Sequence, residues 1–266
     1  MRIVSLVPSH TEILFALGLG DHVVGVTEHC DYPSAVLQIK KIGTFACPEP
    51  ARIVSLRPDL VLAGGRMHSS CVAELRRAGV QVFDFEPRTV SEVFEAMEKI
   101  MELTKQGESG RLLIFELRDR LVRIKEKSKN LQRPRVIFIM GENKLMTPGP
   151  ASCQYDALCI LGAAPIPVAE NISYVSITWE EIIGYNPEII LSCGSAPGEP
   201  IKKRCPGCNL INRPCVRDVK SILNNPLLKN VIATQTGRVY TIPCHFLCRT
   251  GPRLINGMEQ LAQLFC

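Results

Sequence analysis

Cysteine is the residue type whose number and spacing say most about chemistry in this chain. There are 12 in 266 residues, and Cys193, Cys205, Cys208, Cys215, Cys244 and Cys248 fall in one stretch near the carboxyl end. Cys205-Pro-Gly-Cys208 aims two thiols one way around a turn, Cys215 follows shortly, and Cys193, Cys244 and Cys248 lie at or just beyond the ends of two candidate strands. About four thiolates brought together hold a structural zinc ion or an iron–sulfur cluster, and soft sulfur favours zinc, iron–sulfur or copper(I) over hard ions. The competing reading is buried thiols that pack as small hydrophobes. It accounts poorly for three cysteines inside a polar segment rich in Gly, Pro and Lys. Cys30, Cys47 and Cys71 are far apart in sequence and read as core.

The histidines come next. His10, His29, His68 and His245 each follow a candidate strand, the end at which open α/β sheets meet their ligands. They are candidate ligand contacts or metal ligands. Ser9 and Glu12 have the S-x-x-E spacing of a helix cap, a local role rather than a chemical one. No nucleophile stands in the context of a base, and neither a phosphate-binding loop nor a dinucleotide glycine fingerprint is present. The chain reads as a binder rather than an enzyme.

Positioning these residues requires a frame, and residues 108–130 organise it. Leu113, Leu117, Leu121 and Ile124 recur at helical spacing, with Glu116/Arg120 and Asp119/Arg123 in the favourable i,i+4 order. At ~1.5 Å per residue such a helix spans roughly 35 Å, enough to carry the chain from one lobe to another. Its flanks repeat: residues 57–65, RPDLVLAGG, and residues 186–194, NPEIILSCG, each place a proline and an acid before a buried strand. The expected organisation is an α/β lobe over 1–105, a bridging helix over 106–130, and a second α/β lobe over 131–266 with a cysteine-rich insert over 193–217. In fold-class terms this is two Rossmann-like lobes joined by one long helix, with a ligand cleft between them.

The formal charge of +5 is spread over helix faces, and no basic stripe with interleaved aromatics points to nucleic acid. No apolar run approaches the ~20 residues of a membrane span. The opening MRIVSLVPSHTE has neither a basic nor an apolar leader region, so a cytoplasmic location is expected, where thiols stay reduced.

Three stretches carry a family resemblance: RIVSLVPSHTEILFALGLGDHVVGVTEHCDYP, ARIVSLRPDLVLAGG and GPRLINGMEQLAQL. With them the chain resembles, end to end, the class III solute-binding proteins, closest to the cobalamin-binding branch. The resemblance implies two lobes, a rigid bridging helix and a corrinoid ligand in the cleft. It implies contacts from Tyr32 of the DYP loop, and more loosely from His10, His68, Thr147, Gly149, His245 and Phe246, with a histidine as a candidate cobalt ligand. Exported receptors of this group carry a leader and dock on a permease through a glutamate on each lobe. Here Cys248 or its neighbour stands at one position and GGRMHSSC offers no acid at the other, so the sequence looks closer to leaderless cytosolic relatives. Three readings follow. The first is a cytoplasmic corrinoid-binding protein with a cysteine-bound zinc or iron–sulfur site, working with a corrinoid protein or redox partner. The others are an importer receptor for cobalamin, siderophore or haem, and a redox or metal-trafficking protein on the same fold.

Overall fold

The computed structural model describes residues 1–105, 108–129, 132–140, 145–169, 171–194 and 219–265. The chain divides into two compact units, one formed by residues 1–87, 91–118 and 250–252, the other by 88–90, 119–249 and 253–266. Each is built around a parallel sheet of four strands.

In the first unit β1 (Ile3–Ser5) is followed by α1 (Pro8–Ala16), β2 (Val23–Val26), α2 (Pro50–Ser55), β3 (Leu60–Ala63), α3 (Ser69–Arg77), β4 (Val82–Asp84) and α4 (Val90–Thr104). The strand order is β2-β1-β3-β4, all parallel. β1 and β3 are buried along their whole length, as expected of central strands covered on both faces. Val4, Leu6, Val61 and Ala63 pack against Ile53, Val72 and Leu75 from the helices.

The long helix α5 (Glu108–Ser128) follows, and the boundary between the units falls inside it. Its buried face is Ile114, Leu117, Leu121 and Ile124. The expected stripe placed Leu113 where Ile114 stands, because both the 3- and the 4-residue step fit the sequence at that end. Arg120 donates to Glu259 and to Asn256, a bidentate ion pair and a hydrogen bond that tie α5 to the closing helix.

The second unit contains β5 (Arg135–Ile139), β6 (Met146–Pro148), α6 (Cys153–Ile160), β7 (Ala164–Pro165), β8 (Tyr174–Ser176), α7 (Trp179–Tyr185), β9 (Ile189–Cys193), α8 (Val219–Leu223), α9 (Ile232–Gln235), β10 (Val239–Ile242) and α10 (Arg253–Phe265). Its sheet runs β10-β9-β5-β7, and β6 pairs with β8 as a separate antiparallel ribbon. Read from β7, this is the order of the first sheet: second strand, first, third, fourth. Ile137, Ile139, Ile182, Ile190 and Leu228 form its core, with Trp179 packed at the edge.

The repeat in sequence is a repeat in structure. Asp59 accepts the Arg2 backbone N–H at 2.6 Å, while Arg2 Nε donates to the Leu56 carbonyl at 2.8 Å. Glu188 accepts the Arg135 backbone N–H at 2.9 Å, while Arg135 Nε donates to the Asn186 carbonyl at 2.9 Å. Arg57 and Asn186, each just before a proline, both take a positive φ, 48° and 50°. The acid after the proline satisfies the first donor of the neighbouring strand, and the arginine caps the preceding helix. Among the described residues no helix is long and apolar enough to cross a membrane.

Candidate functional site

Where strand order reverses between a first and a third strand, the loops at their carboxyl ends part and leave a crevice. In the first unit those loops start α1 after β1 and run through residues 64–68 after β3. They carry His10 and His68.

His10 lies in the first turn of α1. That helix begins at Pro8, with Val7 as its N-cap and no capping side chain. The expected cap by Ser9 and Glu12 does not form, because proline at the first helical position starts the helix two residues earlier and draws both side chains inside the helix. Ser9 and Glu12 are buried, and the Ser9 hydroxyl accepts a long hydrogen bond, 3.4 Å, from Thr250. His10 is 1% exposed, and its Nδ1 has no hydrogen-bond partner among the described residues. Burial, and secondarily the nearby His68, hold its pKa down at about 4. At neutral pH it is an uncharged ring.

His68 is equally buried. Its Nδ1 accepts the Gly64 N–H at 2.9 Å, and its Nε2 lies 2.7 Å from the Phe45 carbonyl oxygen. A carbonyl offers only lone pairs, so the His68 proton sits on Nε2. Desolvation lowers the pKa of this ring against the raising effects of the Phe45 carbonyl, Asp84 and Glu86. Gly65 is required here: its φ is +66°, and a Cβ would strike Glu86. Met67, next to His68, is 53% exposed.

The loop after β2 contributes His29, Cys30 and Tyr32. Cys30 is buried, with its sulfur 3.1 Å from Thr11 Oγ1 and 3.3 Å from Thr27 Oγ1, and burial pushes its thiol pKa up. It is an inert core group. Tyr32 is 46% exposed, and its peptide bond to Pro33 is cis. His29 Nδ1 accepts the Phe45 N–H at 3.1 Å. The Phe45 ring meets both imidazoles edge-on, at 5.2 Å from His68 and 6.3 Å from His29. With His10 near His68, the structure thus joins His29 and His68 around Phe45, a residue to which the sequence alone assigns no role. Its signal, an aromatic in the glycine- and proline-rich stretch 43–50, is weak until its partners are known.

The remaining candidates lie in the second unit. Thr147 is buried in β6 and pairs with Val175, and Gly149 is where the backbone passes so close to the Ile172 carbonyl that a Cβ would collide. Gly149 has a structural reason to be glycine. His245 and Phe246 follow β10, half-buried and edge-on at 5.1 Å. Cys193 ends β9 and is buried, Cys248 is half-buried, and Cys244 begins a short turn. Cys205, Cys208 and Cys215 lie outside the described residues. Among the described residues no three His, Cys, Asp or Glu side chains converge as metal ligands would.

A family profile described as periplasmic binding protein matches residues 3–245. An uncharacterized ABC transporter substrate-binding lipoprotein of Bacillus subtilis strain 168 is 30% identical over 98% of this chain and 79% of its own length. A vitamin B12-binding protein of Photorhabdus laumondii is 25% identical over 99% of this chain and 87% of its own. Among solved structures, the periplasmic vitamin B12 binding protein of Vibrio cholerae superposes with a TM-score of 0.82 at 22% identity, covering 99% of this chain and 96% of that one. A periplasmic heme-binding protein from Roseiflexus sp. RS-1 gives 0.82 at 22%, covering 99% and 97%. At that identity the likeness establishes the fold.

Proposed function

The chain belongs to the periplasmic binding protein family, and from that premise we propose that it is the substrate-binding receptor of an ABC importer whose ligand is a cobalamin-type corrinoid. The observation that carries the ligand class is the strand-end face of the first sheet. Tyr32, Phe45 and Met67 offer aromatic and thioether surface there, beside the uncharged His10 ring. Such a surface suits a broad, flat macrocycle whose faces are apolar. The vitamin B12-binding relatives point the same way. A permease is accordingly the expected partner, and the relative named as an ABC transporter substrate-binding lipoprotein favours an exported receptor over a cytoplasmic one. His245 and Phe246 are a further candidate contact on the second unit.

Titration calorimetry and thermal melting with cobinamide, cobalamin and haemin test the reading. Cobinamide or cobalamin should release heat at micromolar concentration and raise the melting temperature by mass action. No heat and no melting shift with either corrinoid far above that range would overturn it, and binding of haemin alone would move the assignment to a porphyrin.

The C-x2-C spacing of Cys205 and Cys208 supports a zinc or iron–sulfur site in the same protein. Metal analysis after anaerobic purification should find about one site per chain, lost on replacing both cysteines by serine.

A further inference from the structure

Phe45 sits in a short hairpin closed by the bridge between Gly43 and Pro48. Gly43 has φ +105°, and a Cβ on it would lie 2.6 Å from the Cys47 carbonyl oxygen, so the base of the hairpin tolerates no side chain there. At its tip a turn would ordinarily bond its own backbone. Phe45 does something else: its N–H goes to His29 Nδ1 and its carbonyl to His68 Nε2, side chains 16 residues before it and 23 after it. The two imidazoles come from the loops after β2 and β3, so the residue is gripped from two sides. Both tautomers follow from the geometry. His68 accepts a hydrogen bond from Gly64 N–H on Nδ1 and donates one from Nε2–H, and His29, accepting on Nδ1, carries its proton on Nε2. The same rings then meet the Phe45 ring edge-on, at 79° and 65°, which fixes its tilt as well as its main chain.

We infer that His29 and His68 are positioning residues that hold the Phe45 ring as a rigid platform for the flat face of a corrin- or porphyrin-class macrocycle. The inference rests on the ligand reading above and adds to it the means by which the platform is pre-organised. A half-buried ring on an unclamped loop would have to be ordered when the ligand arrives, and that ordering subtracts from affinity. Here it is ordered beforehand by the two imidazoles. Neither imidazole can serve both as this clamp and as a metal ligand through the nitrogen that faces Phe45.

The test has a ligand-free arm and a ligand arm. In the free protein, long-range nitrogen–proton correlation spectra should show both His29 and His68 as the Nε2–H tautomer, and the Phe45 amide should exchange slowly. His29→Ala should raise Phe45 amide exchange by at least about ten-fold, and His29→Asn, whose Oδ1 can take the place of Nδ1, should restore protection. In the ligand arm, cobinamide should bind His29→Ala about ten-fold more weakly than wild type and His29→Asn within about three-fold of it, the scale of one ordered aromatic contact. His68 is buried, so His68→Gln, which keeps a donor near Nε2, is the variant to use. It should retain binding where His68→Leu, if folded, loses it. Unchanged Phe45 exchange in His29→Ala overturns the clamp whatever the ligand. Expected exchange behaviour with equal cobinamide affinity in wild type and His29→Ala overturns the positioning role. Protection that behaves as expected in a protein that binds neither cobinamide nor haemin overturns the macrocycle and leaves the clamp.

Discussion

The two α/β units share a strand order and differ in what they put at its carboxyl ends. At the amino ends they are nearly the same molecule twice: Arg2 with Asp59 and the Leu56 carbonyl, Arg135 with Glu188 and the Asn186 carbonyl. At the carboxyl ends the first unit has two buried histidines and a clamped phenylalanine. The second has Cys193 and Gly194 leading out of β9, and Met140 leading out of β5. Anchoring a strand start against a helix end is a problem the backbone poses identically in both units, so the same chemistry answers it. Ligand binding poses no such common problem, and the strand ends are free to diverge.

The largest expected effect tests whether the first unit's crevice floor is a dry, neutral histidine pair. His10 has its pKa lowered from 6.5 to about 4 by burial, with His68 as the lesser cause. The unfolded chain binds the proton more readily, so stability is at its full value above pH ~6.5 and falls as the pH drops toward 4. At ~1.4 kcal/mol per pKa unit the loss is about 3 kcal/mol. His68, also lowered, adds to the loss in the same direction. Denaturant titrations of wild type and His10→Leu between pH 7 and 4 isolate the effect, since carboxylate contributions cancel in the difference. Equal slopes for the two proteins would mean that water reaches His10.

How far the sequence disclosed this contrast depends on how local each feature is. The central strands β3 and β9 were legible because both faces are buried, which writes an unbroken aliphatic run, and the proline and acid before each mark the anchor. α7 opens on a local device of the same kind, a capping box of Thr178 and Glu181. β6, β7 and β8 were not, since strands of two or three residues carry no period to detect. The helix start at Pro8 was misread because S-x-x-E outweighed the proline beside it. Histidines at strand ends were visible as types in places. The clamp was not, because Phe45 acquires its meaning from partners contributed by two other loops.

A middle-sized effect asks which aromatics of the first unit a ligand touches. Tyr32→Ala and Phe45→Ala should each weaken cobinamide binding by about 1–2 kcal/mol, the usual scale for one lost aromatic contact. Stability should respond differently. Tyr32 is 46% exposed and its loss should leave the melting temperature nearly unchanged, whereas Phe45 also bridges His29 and His68, so its loss should lower it. If Tyr32→Ala binds as well as wild type, the ligand-facing surface is narrower than proposed and centres on Phe45 and Met67. Gly149→Ala in the second unit should do the reverse, costing stability through its collision with the Ile172 carbonyl and changing affinity only as far as the fold is disturbed.

The smallest effect bears on the shared half of the comparison. Asp59→Asn and Glu188→Gln keep an acceptor in place but remove the charge that strengthens the bond to the Arg2 and Arg135 backbone N–H groups. Both acids are at least partly exposed, so solvent screens much of that strength, and each substitution should cost about 0.5–1 kcal/mol. Truncation goes further. Asp59→Ala and Glu188→Ala leave a strand's first donor to water, for about 1–1.5 kcal/mol each. What matters is that the two units respond alike. The local geometry repeats down to the 2.8 Å return bonds from Asp59 N–H to the Arg2 carbonyl and from Glu188 N–H to the Arg135 carbonyl, and the second anchor adds a half-exposed ion pair, Arg135 to Glu188 at 3.6 Å, that solvent leaves worth little. Native-state hydrogen exchange on the amides of β1 and β5 reads each anchor within its own unit, without requiring the two to unfold together. Matched losses would establish the anchor as a duplicated structural device. A loss confined to one unit would mean that the other start is held by packing alone, and that the sequence repeat outlived the interaction it encodes.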